Sequence, residues 1–218
     1  MEIGQKMTYN RAYDYDVYER HTERWPAAGD RLLSPGRDTF LADEADERNY
    51  RLLRGYKRAG DILIQGALAD RTDCRNLIFP ALFNYRHYIE LALKAIVDDH
   101  GAFAGGSLGQ KNHKLPELWQ LFLAISAAFG NDRSNEAAVA VGECIDEFVT
   151  LDGNSTAFRY ARNQRGDTPV LPSGGLDLVR LHDVMNGLEN FFECADLDFT
   201  HKADLAAEAA ELGPCEGY

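Results

Sequence analysis

From about Asp43 onward, apolar residues return at three- and four-residue steps, the period of an α-helix. Leu52, Tyr56, Ala59, Leu63 and Ala67 fall on one face of a first helix. Arg51, Arg54 and Arg58 make a second stripe on it, expected to be a solvated face with ion pairs inside the helix. The most apolar segment, NLIFPALFNYRHYIELALKAIVDDHG, predicts a central helix. Its core stripe is Leu82, Tyr85, Ile89, Ala92 and Ile96, widened by Leu93 and Val97, and Pro80 suits a first turn. LPELWQLFLAISAAF predicts a third helix, with Pro116 in its first turn and Leu118, Phe122, Ile125 and Phe129 on one side. NEAAVAVGECIDEFVTLD predicts a fourth, facing inward through Ala137, Val141, Cys144 or Ile145, and Phe148. GLDLVRLHDVMNGLENFFECAD predicts a fifth, with Leu178, Leu181, Met185, Leu188, Phe192 and Ala195 in near-heptad spacing.

Outside these segments the periodicity fades. Residues 1–44 are rich in Tyr, Asp, Arg, Pro and Gly, and WPAAGD and LLSPGRD are loop signals, so an irregular N-terminal arm is expected. Residues 200–218 are acidic and Ala-rich, and read either as a last helix or as a mobile tail. No alternation of strands and helices appears, and no internal repeat. The expected fold is all-α, an up-and-down bundle of about five main helices over residues 45–199.

Composition narrows the class. Of the 218 residues, 45% are hydrophobic and 27% charged, enough to bury a sizeable core. No apolar run is long enough to cross a bilayer, so no membrane partner is expected. The opening MEIGQKMTYNRAYDYD lacks an apolar leader segment, and the four cysteines form no C-x-x-C pair. Both point to free thiols in the cytoplasm. Net charge is −12, of which −8 lies between Asp183 and Tyr218. That distribution excludes a broad footprint for duplex DNA and leaves room for a small anion site.

One stretch supplies such a site. STAFRYARNQRGD places Arg159, Arg162 and Arg165 together, with no carboxylate before Asp167. Arginine presents a rigid fork of donors that matches phosphate, and Phe158 and Tyr160 can stack on a base. The alternative is a structural loop in which Phe158 plugs into the bundle and an arginine pairs with a neighbouring carboxylate. On the central helix, Arg86, Glu90 and Lys94 stand four apart, either as an ion-pair ladder or as groups that orient the loop. His87 beside them reads as a packed or surface residue, and His113 as a residue that docks the third helix or lines a pocket. No metal-ligand spacing, P-loop or nucleophile elbow is present, so neither metal nor cofactor is expected.

YRHYIELALKAI, a Gly-rich loop, HKLPELW, a further helix, a polar arginine segment and a last amphipathic helix resemble the HEPN superfamily over roughly residues 45–198. The resemblance implies a four- or five-helix bundle that forms a homodimer. In many members it also implies a metal-independent ribonuclease site at the dimer cleft, built from an Arg, a polar residue and a His a few residues on. Arg162 and Asn163 occupy the corresponding place. The His is absent, since Gln164, Arg165, Gly166, Asp167 and Thr168 follow, and His182 stands too far along. Cleavage of RNA needs a group to take the 2′-hydroxyl proton, and arginine is a poor base near neutral pH.

Three expectations follow. The first is a dimer binding RNA or a nucleotide phosphate through Arg159, Tyr160, Arg162 and Arg165, with Arg86, Glu90, Lys94 and His113 at the site and without efficient catalysis. The second is a divergent ribonuclease of a stress or phage-defence system, with Arg162, Asn163 and Asp167 catalytic, or with His87 or His113 replacing the missing His. The third is an interaction module whose acidic C-terminal segment engages a basic protein or occupies the chain's own arginine cleft.

Overall fold

Twenty-five residues without a proline form the first helix, α1 (Ala45–Ala69). After it come α2 (Cys74–His100) with a 3-10 turn at Gly101–Ala104, α3 (Leu115–Ala128), α4 (Glu136–Asp152) and α5 (Leu178–Leu212). The computed structural model describes residues 28, 30–32, 45–105, 114–132, 135–152, 158–160 and 174–212, and among these no strand occurs. The chain divides into Met1–Leu41 and Ala42–Tyr218. The described part of the first unit is four exposed residues, Ala28 and Asp30 to Leu32, so the arm expected over residues 1–44 lies almost wholly outside the described residues. All five helices belong to the second unit. No helix among the described residues is long and apolar enough to cross a membrane.

Local chemistry sets the ends of the helices. Asp70 Oδ1 accepts from the Thr72 amide at 2.8 Å, which turns the chain between α1 and α2. Asn135 Oδ1 accepts from the Ala137 amide at 2.9 Å and starts α4, and Asp177 Oδ1 accepts from the Arg180 amide at 3.0 Å and starts α5. Gly130, at φ +79°, ends α3 in a Schellman turn, with Gly130 N–H on Ala127 O and Asn131 N–H on Ser126 O. Pro80 does not sit in a first turn as expected. α2 begins at Cys74, because Ile78 is buried and Leu77 packs against Gly66 of α1, which rewards extra turns ahead of the proline.

Side-chain contacts give the helix directions. Arg54 reaches Glu189 and Glu193, Lys57 reaches Asn186, and Asp61 lies by His182, so α1 opposes α5. Tyr88 meets Phe192 and His100 meets Phe199, so α2 runs with α5. Trp119 meets Phe191 and Phe129 meets Phe199, so α3 does too. α4 runs the other way, from Gly142 beside Trp119 to Asp152 beside Arg86. Alternation therefore holds at three of the four connections, while α2 and α3 point the same way.

The core follows the expected stripes on α2, α3 and α5, with Tyr85, Ile89, Leu118, Phe122, Met185 and Phe192 all buried, and Phe199 adds to it beyond the expected stripe. On α4 the inward residues are Ala138, Val141, Ile145 and Phe148, so Ala138 replaces Ala137, and of the two alternatives Cys144 and Ile145 it is Ile145 that is buried. On α1 the buried face is rotated from the expected one. Lys57, Gly60, Ile64 and Ala67 are buried, and Leu52 is 41% exposed. α5 does not end near Phe199. It continues through Leu212, so residues 200–212 of the acidic tail are helical.

Gly60 lets α1 and α2 approach, because a Cβ there would collide with the buried Tyr85 ring. Gly60→Ala is expected to destabilise the fold by about 1–3 kcal/mol despite the better helix propensity of alanine. Denaturant unfolding checks this, and a midpoint that stays or rises would show that the Tyr85 ring has room to move.

Candidate functional site

α2 is enclosed on most sides, yet it carries charge inward. Arg86 and Glu90 are each 2% exposed. Arg86 Nη1 donates to Glu90 Oε2 at 3.0 Å, and Lys94 Nζ donates to Glu90 Oε1 at 2.8 Å. One buried carboxylate thus serves two cations. Arg86 Nε also lies 3.9 Å from Oδ2 of Asp152, the buried last residue of α4. Arg86 and Glu90 were expected among the ligand contacts. Both are buried, and Arg86 lies beside the last residue of α4. Lys94 is only partly exposed and is held by Glu90.

Beyond α4, the described turn Phe158–Tyr160 returns to α2. Phe158 is buried in the core, as the structural reading of the loop required. Arg159 then turns outward. Its guanidinium carbon lies 5.6 Å from the Phe83 ring centre and 5.7 Å from that of Tyr160. Tyr160 is 60% exposed. The opposite contact of Phe83 is with His87, stacked at 5.8 Å, and Tyr56 meets His87 edge-on at 4.3 Å. His87 is therefore a packed residue. The structure brings together Arg159, Tyr160, Phe83 and His87, and separately Arg86, Glu90 and Asp152. Arg162, Asn163, Arg165, Asp167 and His113 lie outside the described residues.

A second polar cluster went unread in the sequence. Lys57 is 2% exposed, and its ammonium donates to Asp61 Oδ1 at 3.0 Å, to Asp61 Oδ2 at 2.9 Å and to Asn186 Oδ1 at 2.8 Å. Glu189 Oε2 stands 3.1 Å away. Tyr85 donates its hydroxyl proton to Asp61 Oδ1 at 2.9 Å, and His182 Nε2 is 3.6 Å from the same oxygen. Beside it Arg54 bridges Glu189 at 2.9 Å and Glu193 at 2.8 Å. The expectation of arginines paired within α1 holds for Arg51 with Glu47 and fails for Arg54, which reaches across to α5. The available signal was Asp61 at i+4 from Lys57; the partners on α5 had none.

These environments also set protonation. Burial, and then the hydrogen bond to Asp61, push the Tyr85 phenol far above its ordinary range. Burial, and then the charges of Glu189 and Glu193, do the same to Tyr88. Near the far end of the bundle, hydrogen bonds from Lys202 and then Asn131 hold Asp198 below the usual carboxylate range. Among the described residues no three His, Cys, Asp or Glu side chains converge on a common point.

The acidic stretch 200–212 continues α5 beyond the end of α2 where His100 packs, whereas Arg159 sits at Phe83 near the opposite end. The site therefore defines a helical bundle with an exposed arginine–aromatic face. No family model matches the chain, and neither a curated protein nor a solved structure does.

Arg86→Ala leaves Glu90 and Asp152 buried beside a lost cation, and is expected to cost about 3–5 kcal/mol in denaturant unfolding. A loss below about 1 kcal/mol would show that the ion network does not anchor α4. Tyr85 and Tyr88 give a pH prediction. An unfolded phenol ionises at about pH 10, the folded ones later, so their stabilisation is complete below that pH and declines as pH rises above it. Two phenolate absorbances should appear only together with loss of helical circular dichroism, and Tyr88→Phe should remove one of them. Ionisation of both while the helices remain intact would contradict their burial.

Proposed function

We propose that the chain is a HEPN-like helical protein, acting as a homodimer, that binds single-stranded RNA or a nucleotide without efficient cleavage. The observation that carries this reading is the placement of Arg159, an exposed guanidinium held between Phe83 and the exposed Tyr160. Such a fork engages phosphate, and a free aromatic face accepts a base regardless of sequence. Buried Phe158 and the Arg86–Asp152 contact fix the segment from which the arginine projects. An arginine presented from a fixed turn loses less freedom on binding than one on a loose chain. Arg162 and Arg165 follow within six residues and extend the same phosphate chemistry along the sequence.

One observation favours ribonuclease activity as a second reading. His87 stacks on the same Phe83 ring that Arg159 covers, which gives a candidate proton acceptor near a phosphate-binding arginine.

Anisotropy of a labelled single-stranded RNA of about ten nucleotides, measured across a salt series, tests the binding reading. Arg159→Ala is expected to weaken binding by about tenfold and to flatten the salt slope by about one unit. Tyr160→Ala should cost about 1–3 kcal/mol with the slope unchanged. Unaltered affinity in both variants, or no binding at low salt, overturns the proposal. Incubation with total RNA decides the second reading: cleavage that disappears in both His87→Ala and Arg159→Ala supports it, and intact RNA removes it.

A further inference from the structure

α1 and α5 pack against each other through Arg54, Lys57 and Asp61, but toward the N-terminal end of α1 a groove opens between them over α2. It encloses about 610 Å³. Its walls are apolar, with Leu53, Leu91, Ala95 and Phe192 facing it, and at its lip Tyr50 and Leu52 are exposed to solvent. Along α2 it runs from Tyr88 to Asp99, a length of about 16 Å, or three helical turns. A groove between two helices with a third as floor has the shape that an added amphipathic helix fills.

The charge around the groove selects the occupant. Asp98, Asp99, Glu193 and Asp196 border it, against Arg54 and Lys94. Arg54 is engaged by Glu189 and Glu193, Lys94 by Glu90 and Asp196 by His100, and the border still holds two more carboxylates than Lys and Arg side chains. α5, which forms one wall, belongs to the segment from Asp183 to Tyr218 that carries −8. Two copies of α5 brought side by side would repel, so the field disfavours a second copy of this chain and favours a cationic partner. We propose that this groove seats a basic amphipathic helix of another protein, with its apolar stripe against Leu53, Leu91, Ala95 and Phe192 and its lysines or arginines against Asp98, Asp99, Glu193 and Asp196.

The surface is separate from the Arg159 face, and its test is independent of RNA binding. The probe is a fluorescein-labelled amphipathic Leu/Lys peptide long enough for three to four turns, with a Leu/Glu peptide of the same pattern as control, titrated with the full chain. Binding of the Leu/Lys peptide should weaken by about tenfold or more in Ala95→Arg, which blocks the floor, and in Leu52→Arg, which alters only the exposed lip. Asp204→Asn makes the same unit change in charge on the far stretch of α5 and should leave binding within about twofold. Circular dichroism and unfolding midpoints confirm that each variant folds. The proposal is overturned if the Leu/Lys peptide does not bind, if the Leu/Glu peptide binds equally, or if Asp204→Asn weakens binding as much as Ala95→Arg. It is also overturned if light scattering shows a dimer that Leu52→Arg converts to monomer, since the groove would then belong to a second copy.

Discussion

A lysine ammonium removed from water must be surrounded by acceptors, and at Lys57 that requirement ties two helices together. Leaving such a charge unpaired in an apolar interior costs about 3–5 kcal/mol, a large share of the roughly 5–15 kcal/mol by which a domain is stable. Asp61 on its own helix, with Asn186 and Glu189 on α5, meets the need. Those partners fix the register of α1 against α5, because a slip of one helical turn would strand the ammonium. Tyr85 from α2 joins through Asp61, so three helices share one polar junction. Gly60 completes the arrangement by letting the Tyr85 ring lie against the α1 backbone.

The same rule operates at the other buried charge centre, with a different outcome. Arg86 and Glu90 satisfy each other along α2, and Asp152 brings the end of α4 to them. The chain thus uses its arginines in two ways. Arg86 is enclosed and organises helix ends; Arg159 is exposed and supported by aromatic rings on both sides. Both belong to one construction, since Arg86 holds the helix from which the segment containing Arg159 departs.

Four helices could be read closely from apolar spacing because most of their inward residues are Leu, Ile, Val, Phe, Tyr and Ala, whose burial follows directly from hydrophobicity, although α2 also buries Arg86 and Glu90 beside that stripe. α1 could not. Its inward face contains a lysine and a glycine, neither of which registers as apolar, so the pattern pointed one residue away and included the exposed Leu52. The partners that make Lys57 tolerable lie about 130 residues downstream, beyond any local pattern. Pro80 misled for a related reason: it suits a first turn, but packing of Leu77 and Ile78 extended the helix ahead of it. In the arginine stretch, residue type allows Phe158 as a buried plug and Arg159 as an outward group. The contact of Arg159 with Phe83 could not be read in this way, because it joins positions 76 apart in the chain.

The length and heading of α5 give the bundle an electrical polarity. Its 35 residues span about 52 Å, and they carry Asp204, Glu208 and Glu211 to the end at which the backbone dipole is itself negative. The face bearing Arg159 lies toward the other end, near the start of α2. On the proposed reading, a polyanion would be repelled at the acidic end of α5 and drawn to the Arg159 end, so that orientation and attraction come from the same asymmetry.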